Sequence, residues 1–164
     1  MDKKNTQRKR YGSSYEVEVQ SNCSGLLIYK SASTGFEVIW NKLGDINYMT
    51  ISDLKEMAAT QRTFFKENWI VINEDDADEI YHFLRVDDCY KTDLRVDKFI
   101  KNMSIDKLAE MKKQLKGASE SLRLSIANAV MEEYKAKRLD SITLIKELEK
   151  MLGFAIISAE DEEK

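Results

Sequence analysis

The residues best suited to chemistry form an acidic run that directly follows the apolar stretch FFKENWIVIN. The run occupies five of six consecutive positions: Glu74, Asp75, Asp76, Asp78 and Glu79. Carboxylates at alternate positions, such as Asp76 and Asp78, are the oxygen ligands that calcium and magnesium prefer. However, the glycine at the sixth position of an EF-hand loop and its closing glutamate are absent at the required spacing.

A structural role accounts for the same acids. Behind them, apolar residues recur at the spacing of one helix face: Ala77, Ile80, Tyr81 and Leu84. Acidic side chains at a helix N-terminus interact favourably with the helix dipole. The pattern therefore predicts that the acidic run begins a helix and that it binds no metal.

The single histidine and the two cysteines form no recognisable catalytic set. No serine or cysteine can be matched to His82 as a nucleophile, so a packed or surface ring is the simpler interpretation. Cys23 and Cys89 belong to no CxxC motif or Cys/His cluster, which favours two reduced thiols packed as small apolar groups. The glycines are scattered singly and form no phosphate-binding loop. We expect a protein that is not an enzyme and that uses no cofactor.

The elements that would position these residues begin with β-strands. Tyr15, Val17 and Val19 alternate with polar residues, and apolar runs resume at 26–29 and 36–40, after SNCSG and SASTG. Short strands separated by small-residue turns are typical of an antiparallel meander with one buried face. Thr50 followed by Asp53 is a capping pair that predicts a helix over 51–60, and residues 69–72 have the composition of a further strand. Residues 15–88 are thus predicted to form a β-rich module with short helices.

The second half of the chain carries the apolar stripes of helices. Ser104 and Gly117 are suitable ends for one helix, and Asp140 or Ser141 and Gly153 for the last. A longer stripe lies between them: Leu122, Ile126, Ala129, Val130 and Tyr134. The short connections predict antiparallel packing of residues 94–153 in a bundle of three or four helices. The fold class is therefore α+β, in which a small antiparallel β module with an inserted helix precedes a helical bundle.

Both ends of the chain differ from the middle. Residues 1–14 are basic and without periodicity, and they are predicted to form a mobile arm that could dock on a neighbouring subunit or on nucleic acid. Its cations are Lys3, Lys4, Arg8, Lys9 and Arg10. Residues 154–164 are first apolar and then acidic, and the apolar part needs burial either in its own chain or in another subunit.

Charge and hydropathy limit the partners. The chain is 43% hydrophobic and 34% charged with a formal net charge of −3, which is typical of a folded protein. No segment has the concentrated positive charge that binding along duplex DNA requires, so nucleic acid is a possible partner but not the favoured one. No window reaches the roughly 18 apolar residues of a membrane span, and we expect no membrane contact.

Protein–protein contact is the favoured activity. Aromatic residues are enriched at the centres of interfaces, and an apolar terminal segment is a common donor for pairing between subunits. The interface candidates are therefore Trp40, Tyr48, Trp69, Phe154, Ile156 and Ile157.

Three stretches, GFEVIWNKLGDINYMTISDLKEM, RTFFKENWIVI and RLDSITLIKELEKMLG, resemble small structural proteins of large tailed bacteriophages in which a β module precedes helices. The resemblance covers roughly residues 35–155. It lies in the general character of the sequence and in the order of its elements, and not in a named motif. It implies an auxiliary capsid or connector component of a multimeric particle, whose partners are other virion proteins or copies of itself. We would expect such a protein in the virion, or in the cytoplasm of the producing cell before assembly. The alternative is a DNA- or RNA-binding regulatory protein that uses the basic arm and the last two helices.

Overall fold

The computed structural model describes residues 11–90 and 94–158. The strands are β1 (Glu16–Ser21), β2 (Leu27–Lys30), β3 (Glu37–Trp40), β4 (Ile46–Thr50) and β5 (Ile70–Ile72). The helices are α1 (Ile51–Thr60), α2 (Thr63–Lys66), α3 (Ala77–Phe83), α4 (Val96–Asn102), α5 (Leu108–Leu115), α6 (Glu120–Lys135) and α7 (Ile142–Leu152). Two short 3-10 helices, Asp87–Cys89 and Ile105–Lys107, are also present. The architecture is α+β, with antiparallel strands first and helices after them.

The strands form two antiparallel sheets. One has three strands in the order β4-β1-β5, and the other is the hairpin of β2 and β3. In the three-stranded sheet, Glu18 lies opposite Tyr48 and Gln20 lies opposite Val71. The prediction of a meander is therefore wrong at its first turn, because β1 pairs with β4 and β5 and not with β2.

The segment SNCSG explains why β1 does not turn back onto β2. The side chain of Asn22 is buried, and its Nδ2 donates to the carbonyls of Asn68 and Leu94, both at 3.1 Å. Its Oδ1 accepts a hydrogen bond from the N–H of Val96 at 2.8 Å. The backbone N–H of Asn22 donates to the Trp69 carbonyl at 2.8 Å. These contacts direct the chain toward β5 and the helices, so β1 pairs with strands that are distant in sequence.

The ends of α1 and α7 agree with the predicted capping residues, whereas Ser104 caps the 3-10 helix Ile105–Lys107 and α5 begins only at Leu108. The Thr50 hydroxyl accepts from the Asp53 N–H at 3.2 Å, and the Asp53 carboxylate accepts from the Thr50 N–H at 3.1 Å, which is a complete capping box. The Ser141 hydroxyl accepts from the Leu144 N–H at 3.3 Å and starts α7. Gly153 ends α7 in the left-handed region at φ 79°, where glycine has no steric penalty.

The acidic run lies at the start of a helix as predicted, because α3 begins at Ala77 and contains Asp78 and Glu79 in its first turn. Two of its acids also bind the β module. The Glu74 carboxylate accepts from the Glu18 N–H at 2.9 Å, and the Asp76 carboxylate accepts from the Tyr11 hydroxyl at 2.7 Å. The run therefore connects the start of α3 to the first strand.

Two apolar cores hold the described residues together. The first contains buried side chains between Tyr11 and Val86, and the second contains buried side chains between Leu94 and Ile157. Tyr11 packs edge-on against Phe83, with their ring centroids 5.3 Å apart. The prediction that residues 1–14 form a mobile arm is therefore wrong at Tyr11, which packs on the β module, and at Ser13, whose carbonyl accepts from the Ser52 N–H. Residues 1–10 of that arm lie outside the described residues.

Polar contacts join the two cores. The Gln20 side chain donates to Asp97 of α4 at 2.8 Å, and Arg95 donates to the Ile72 carbonyl of β5 at 3.0 Å. Leu43, from the loop between β3 and β4, packs against the second core. Of the helices within residues 11–90 and 94–158, none combines the length and apolar character needed to cross a membrane.

Candidate interaction surface

Trp40 is not part of any surface. Its side chain is 0% exposed in the first core, and its indole Nε1 donates to the Val19 carbonyl at 3.1 Å. The expectation that the β module exposes Trp40 is therefore wrong. The reason is its register in β3, where Val38 and Trp40 share the buried side of the hairpin.

Trp69 connects the two halves of the chain. Its ring is half-buried and packs edge-on against Phe64, at 5.4 Å between ring centroids. Its indole Nε1 donates to the Ser121 hydroxyl of α6 at 2.8 Å. The contacts of Trp69 are thus made within its own chain.

The apolar segment after α7 packs on its own chain. Ile156 and Ile157 are buried in the second core, and Phe154 is half-buried beside it. The Glu149 carboxylate accepts from the N–H groups of Ile156 and Ile157 at 2.7 and 3.1 Å. Of the two alternatives for this segment, the structure therefore favours burial in its own chain.

Tyr48 is the exposed member of the predicted set. Its side chain is 61% exposed on β4, which is an edge strand of the three-stranded sheet. The N–H of Ser21 donates to the Asp45 carbonyl, and the N–H of Ile51 donates to the Tyr15 carbonyl. Because bonded positions alternate in an antiparallel pair, the odd-numbered residues of β4 bond to β1, and Ile46, Tyr48 and Thr50 direct their backbone groups away from it.

The outer edge of β4 is open over part of its length. The Thr50 N–H is occupied by the Asp53 carboxylate at 3.1 Å. Among the described residues, no hydrogen-bond partner is found for the outward N–H and C=O groups of Ile46 and Tyr48. Both side chains are also exposed, at 46% for Ile46. The edge therefore combines free backbone groups with apolar side chains.

The edge formed by β5 is closed by contrast. The Ile72 N–H donates to the Tyr81 hydroxyl at 2.8 Å, and the Ile72 carbonyl accepts from Arg95 at 3.0 Å. The Ile70 carbonyl accepts from the Tyr90 hydroxyl at 2.7 Å. Side chains thus satisfy three of the four outward backbone groups of β5, which leaves little for a further strand to pair with.

Further exposed apolar side chains lie on the hairpin of β2 and β3. Ile28 and Ile39 lie opposite each other in the β2–β3 register and are 47% and 42% exposed. The Asn47 side chain donates to the Ile39 carbonyl at 2.8 Å, which holds β3 beside β4. Leu26 and Phe36 are also exposed near the ends of the hairpin.

The sequence reasoning missed these hairpin residues, although a signal was present. The runs LLIY and VIW are apolar at consecutive positions, which places apolar side chains on both faces of a strand. A hairpin that buries only one face must then expose the apolar side chains of its other face. Continuous apolar runs, and not aromatic residues alone, would have located this surface.

The area around Tyr48 is acidic. The Tyr48 hydroxyl donates to the Glu18 carboxylate at 3.1 Å, and this hydrogen bond raises the pKa of Tyr48, with smaller contributions from Glu74 and Glu16. A surface that is apolar along the β4 edge and negative on the adjoining sheet face favours partners with complementary positive groups.

The remaining candidates for chemistry are separated from one another. His82 is exposed and contacts Asp87 at 3.2 Å. Burial raises the pKa of the Cys23 thiol to about 11, and burial also raises the pKa of Cys89, so both thiols are protonated near neutral pH. Within residues 11–90 and 94–158, no group of three or more metal-binding side chains is found.

The nucleic-acid candidates cannot be placed on this surface. Lys3, Lys4, Arg8, Lys9 and Arg10 lie outside the described residues. In the hairpin of α6 and α7, Arg138 pairs with Glu133 at 2.9 Å, so its guanidinium already has a carboxylate partner.

Comparisons with protein-family models, with curated proteins and with solved structures give no match to this chain.

Proposed function

We propose that this chain is a non-catalytic structural or assembly protein that joins protein subunits through the edge of β4. The open backbone groups of Ile46 and Tyr48 carry the proposal. A free strand edge with exposed apolar side chains is a template for the addition of a strand from another chain. Trp69 and the segment after α7, by comparison with the β4 edge, already make their contacts within the chain.

The closed edge of β5 supports this choice of surface. Folded proteins commonly protect sheet edges, and here Tyr81, Tyr90 and Arg95 protect one edge while the other is left free. The hairpin carries a separate exposed apolar pair, Ile28 and Ile39. An added strand would gain backbone hydrogen bonds at β4 and apolar contacts with the side chains of Ile46 and Tyr48.

The resemblance to structural proteins of large tailed bacteriophages supports placing this assembly in a virion, as an auxiliary capsid or connector component. Its partners would be copies of itself or other virion proteins. In a multimeric particle, an open edge on each subunit provides a repeated attachment point.

Light scattering across a concentration series tests the proposal. We expect the wild-type chain to form a defined oligomer, and we expect Ile46→Lys and Tyr48→Lys to shift it to the monomer, because lysine on a strand edge opposes pairing. Leu124→Lys is the matched control, since Leu124 is 45% exposed and belongs to α6, not to a strand. Circular dichroism of all variants checks that they remain folded.

Two results would contradict assembly through β4. One is a wild-type chain that stays monomeric over the whole series. The other is an oligomer that both β4 variants leave unchanged or that Leu124→Lys disrupts equally.

A further inference from the structure

A basic cleft lies on the helical bundle, between α5, α6 and α7. Its volume is about 520 Å³. Five cationic side chains line it: Lys112, Lys113, Lys116, Arg123 and Lys150. The lining residues include no aspartate or glutamate. The positive charges of three helices therefore converge on one shallow, open site, in which the three lysines of residues 112–116 are exposed.

Helix geometry produces this convergence. Ala109, Lys112, Lys113 and Lys116 follow the spacing of one face of α5, which presents three lysines to the cleft. Arg123 enters from the first half of α6, and Lys150 from the last turn of α7. Cations near helix C-termini interact favourably with the helix dipole. This interaction explains the positions of some of the lysines, but it does not explain the position of Arg123 in the first half of α6.

The charges of the cleft are largely unpaired within the chain. Lys150 contacts Glu147 at 3.2 Å. Within residues 11–90 and 94–158, no ion pair or side-chain hydrogen bond engages Lys112, Lys113, Lys116 or Arg123, and the buried Nε of Arg123 has no acceptor. Like charges on one helix face repel each other, so an anion in the cleft would offset an unfavourable arrangement.

We propose that this cleft binds a ligand carrying two or more phosphate groups. The guanidinium of Arg123 can donate to a phosphate from two nitrogens, and the lysines act as mobile point charges around it. The volume of the cleft is in the range of small-molecule sites, and Met151 and Ala109 contribute apolar lining. A nucleoside polyphosphate and adjacent phosphates of a nucleic-acid strand offer the same chemistry. This site is separate from the β4 edge and does not depend on its function.

Titration calorimetry at low ionic strength tests the proposal with tripolyphosphate as the probe. We expect saturable binding that the double variant Lys113→Gln/Lys116→Gln weakens about tenfold or more, which is a loss of roughly 1.4 kcal/mol. The control double variant Lys42→Gln/Lys66→Gln removes the same charge from exposed positions in the β module and is expected to bind as the wild type does. Arg123→Lys keeps the charge but loses the planar donor group, so we expect weaker binding there as well.

Two further probes identify the source of the phosphates. Tighter binding of a nucleoside triphosphate than of a single-stranded oligonucleotide supports a nucleotide ligand, and the reverse order supports nucleic acid. The proposal fails if tripolyphosphate does not bind, or if the control variant loses as much affinity as the cleft variant. It also fails if a glutamate peptide of equal charge binds as tightly, because the site would then recognise acidic protein and not phosphate.

Discussion

Asn22 and Val96 are 74 positions apart in the chain, and the Val96 N–H donates to the Asn22 Oδ1 at 2.8 Å. The same buried side chain donates to the carbonyls of Asn68 and Leu94. One amide side chain, directly after β1, therefore satisfies backbone groups just before β5 and at the start of α4. This contact fixes the β module against the helical bundle.

Asn22→Ala should lower the free energy of unfolding by roughly 2 to 3 kcal/mol, because buried backbone groups of Asn68, Leu94 and Val96 lose their partner. Denaturant unfolding measures the change. Asn41→Ala is the matched control, since Asn41 is exposed, and its cost should stay within about 0.5 kcal/mol. Equal effects of the two substitutions would contradict the role of Asn22.

Gly153→Ala should destabilise the chain by about 1 kcal/mol, because Gly153 has φ 79° and L-residues are strained in that region. No heavy atom lies within 4 Å of the added Cβ, so the effect comes from the backbone and not from a clash. Gly12→Ala also meets open space, but at a position where φ is not in the left-handed region, and should be nearly neutral. Thermal unfolding compares the two variants, and a neutral Gly153→Ala would be the contrary result.

The two tryptophans should differ in fluorescence. Trp69→Phe leaves the fully buried Trp40, so its emission should be blue-shifted and severalfold less sensitive to acrylamide than that of Trp40→Phe. Trp69→Phe should also cost about 1 kcal/mol, because the Ser121 hydroxyl loses its indole donor. Strong quenching of Trp40 by acrylamide would show that it is accessible and would contradict its place in the core.

High pH should weaken the fold through Cys23. Burial raises the pKa of its thiol from 9.0 to about 11, with the Ser125 hydroxyl opposing the shift. The unfolded chain therefore releases this proton first as the pH rises, and stability that is complete below pH 9 is lost as the pH passes toward 11. Between these values the wild type should lose about 2 kcal/mol more than Cys23→Ala.

Denaturant unfolding under reducing conditions at both pH values measures the Cys23 effect. The tyrosines, lysines and Cys89 titrate in both proteins, so the difference between wild type and Cys23→Ala isolates Cys23. Identical losses in the two proteins would show that burial does not shift this thiol.

Local features could be predicted because their determinants are close in sequence. Thr50 and Asp53 form the capping box that their spacing predicts, and Ser141 and Gly153 bound the last helix. The acidic run at residues 74–79 spans the start of α3 for the same kind of reason, since helix ends depend on a few neighbouring residues.

The candidate interaction surface could be predicted only in part. Tyr48 was identified from its residue type, but Trp40, Ile156 and Ile157, chosen on the same grounds, are buried. Residue type indicates that an apolar side chain needs burial, and it does not say whether its own chain provides it. The basic cleft was also missed, because its five cations come from three helices and are adjacent only after the bundle packs.

Local sequence patterns were sufficient for the class of the fold, for the ends of α1 and α7, and for the order of a β module followed by helices. These follow from periodicity and capping, which act over a few residues. The tertiary structure alone decided that β1 pairs with β4 and β5, that the β4 edge is open at Ile46 and Tyr48, and that the cations of α5, α6 and α7 meet. These properties depend on contacts between residues tens of positions apart, such as Asn22 with Val96, which no local pattern encodes.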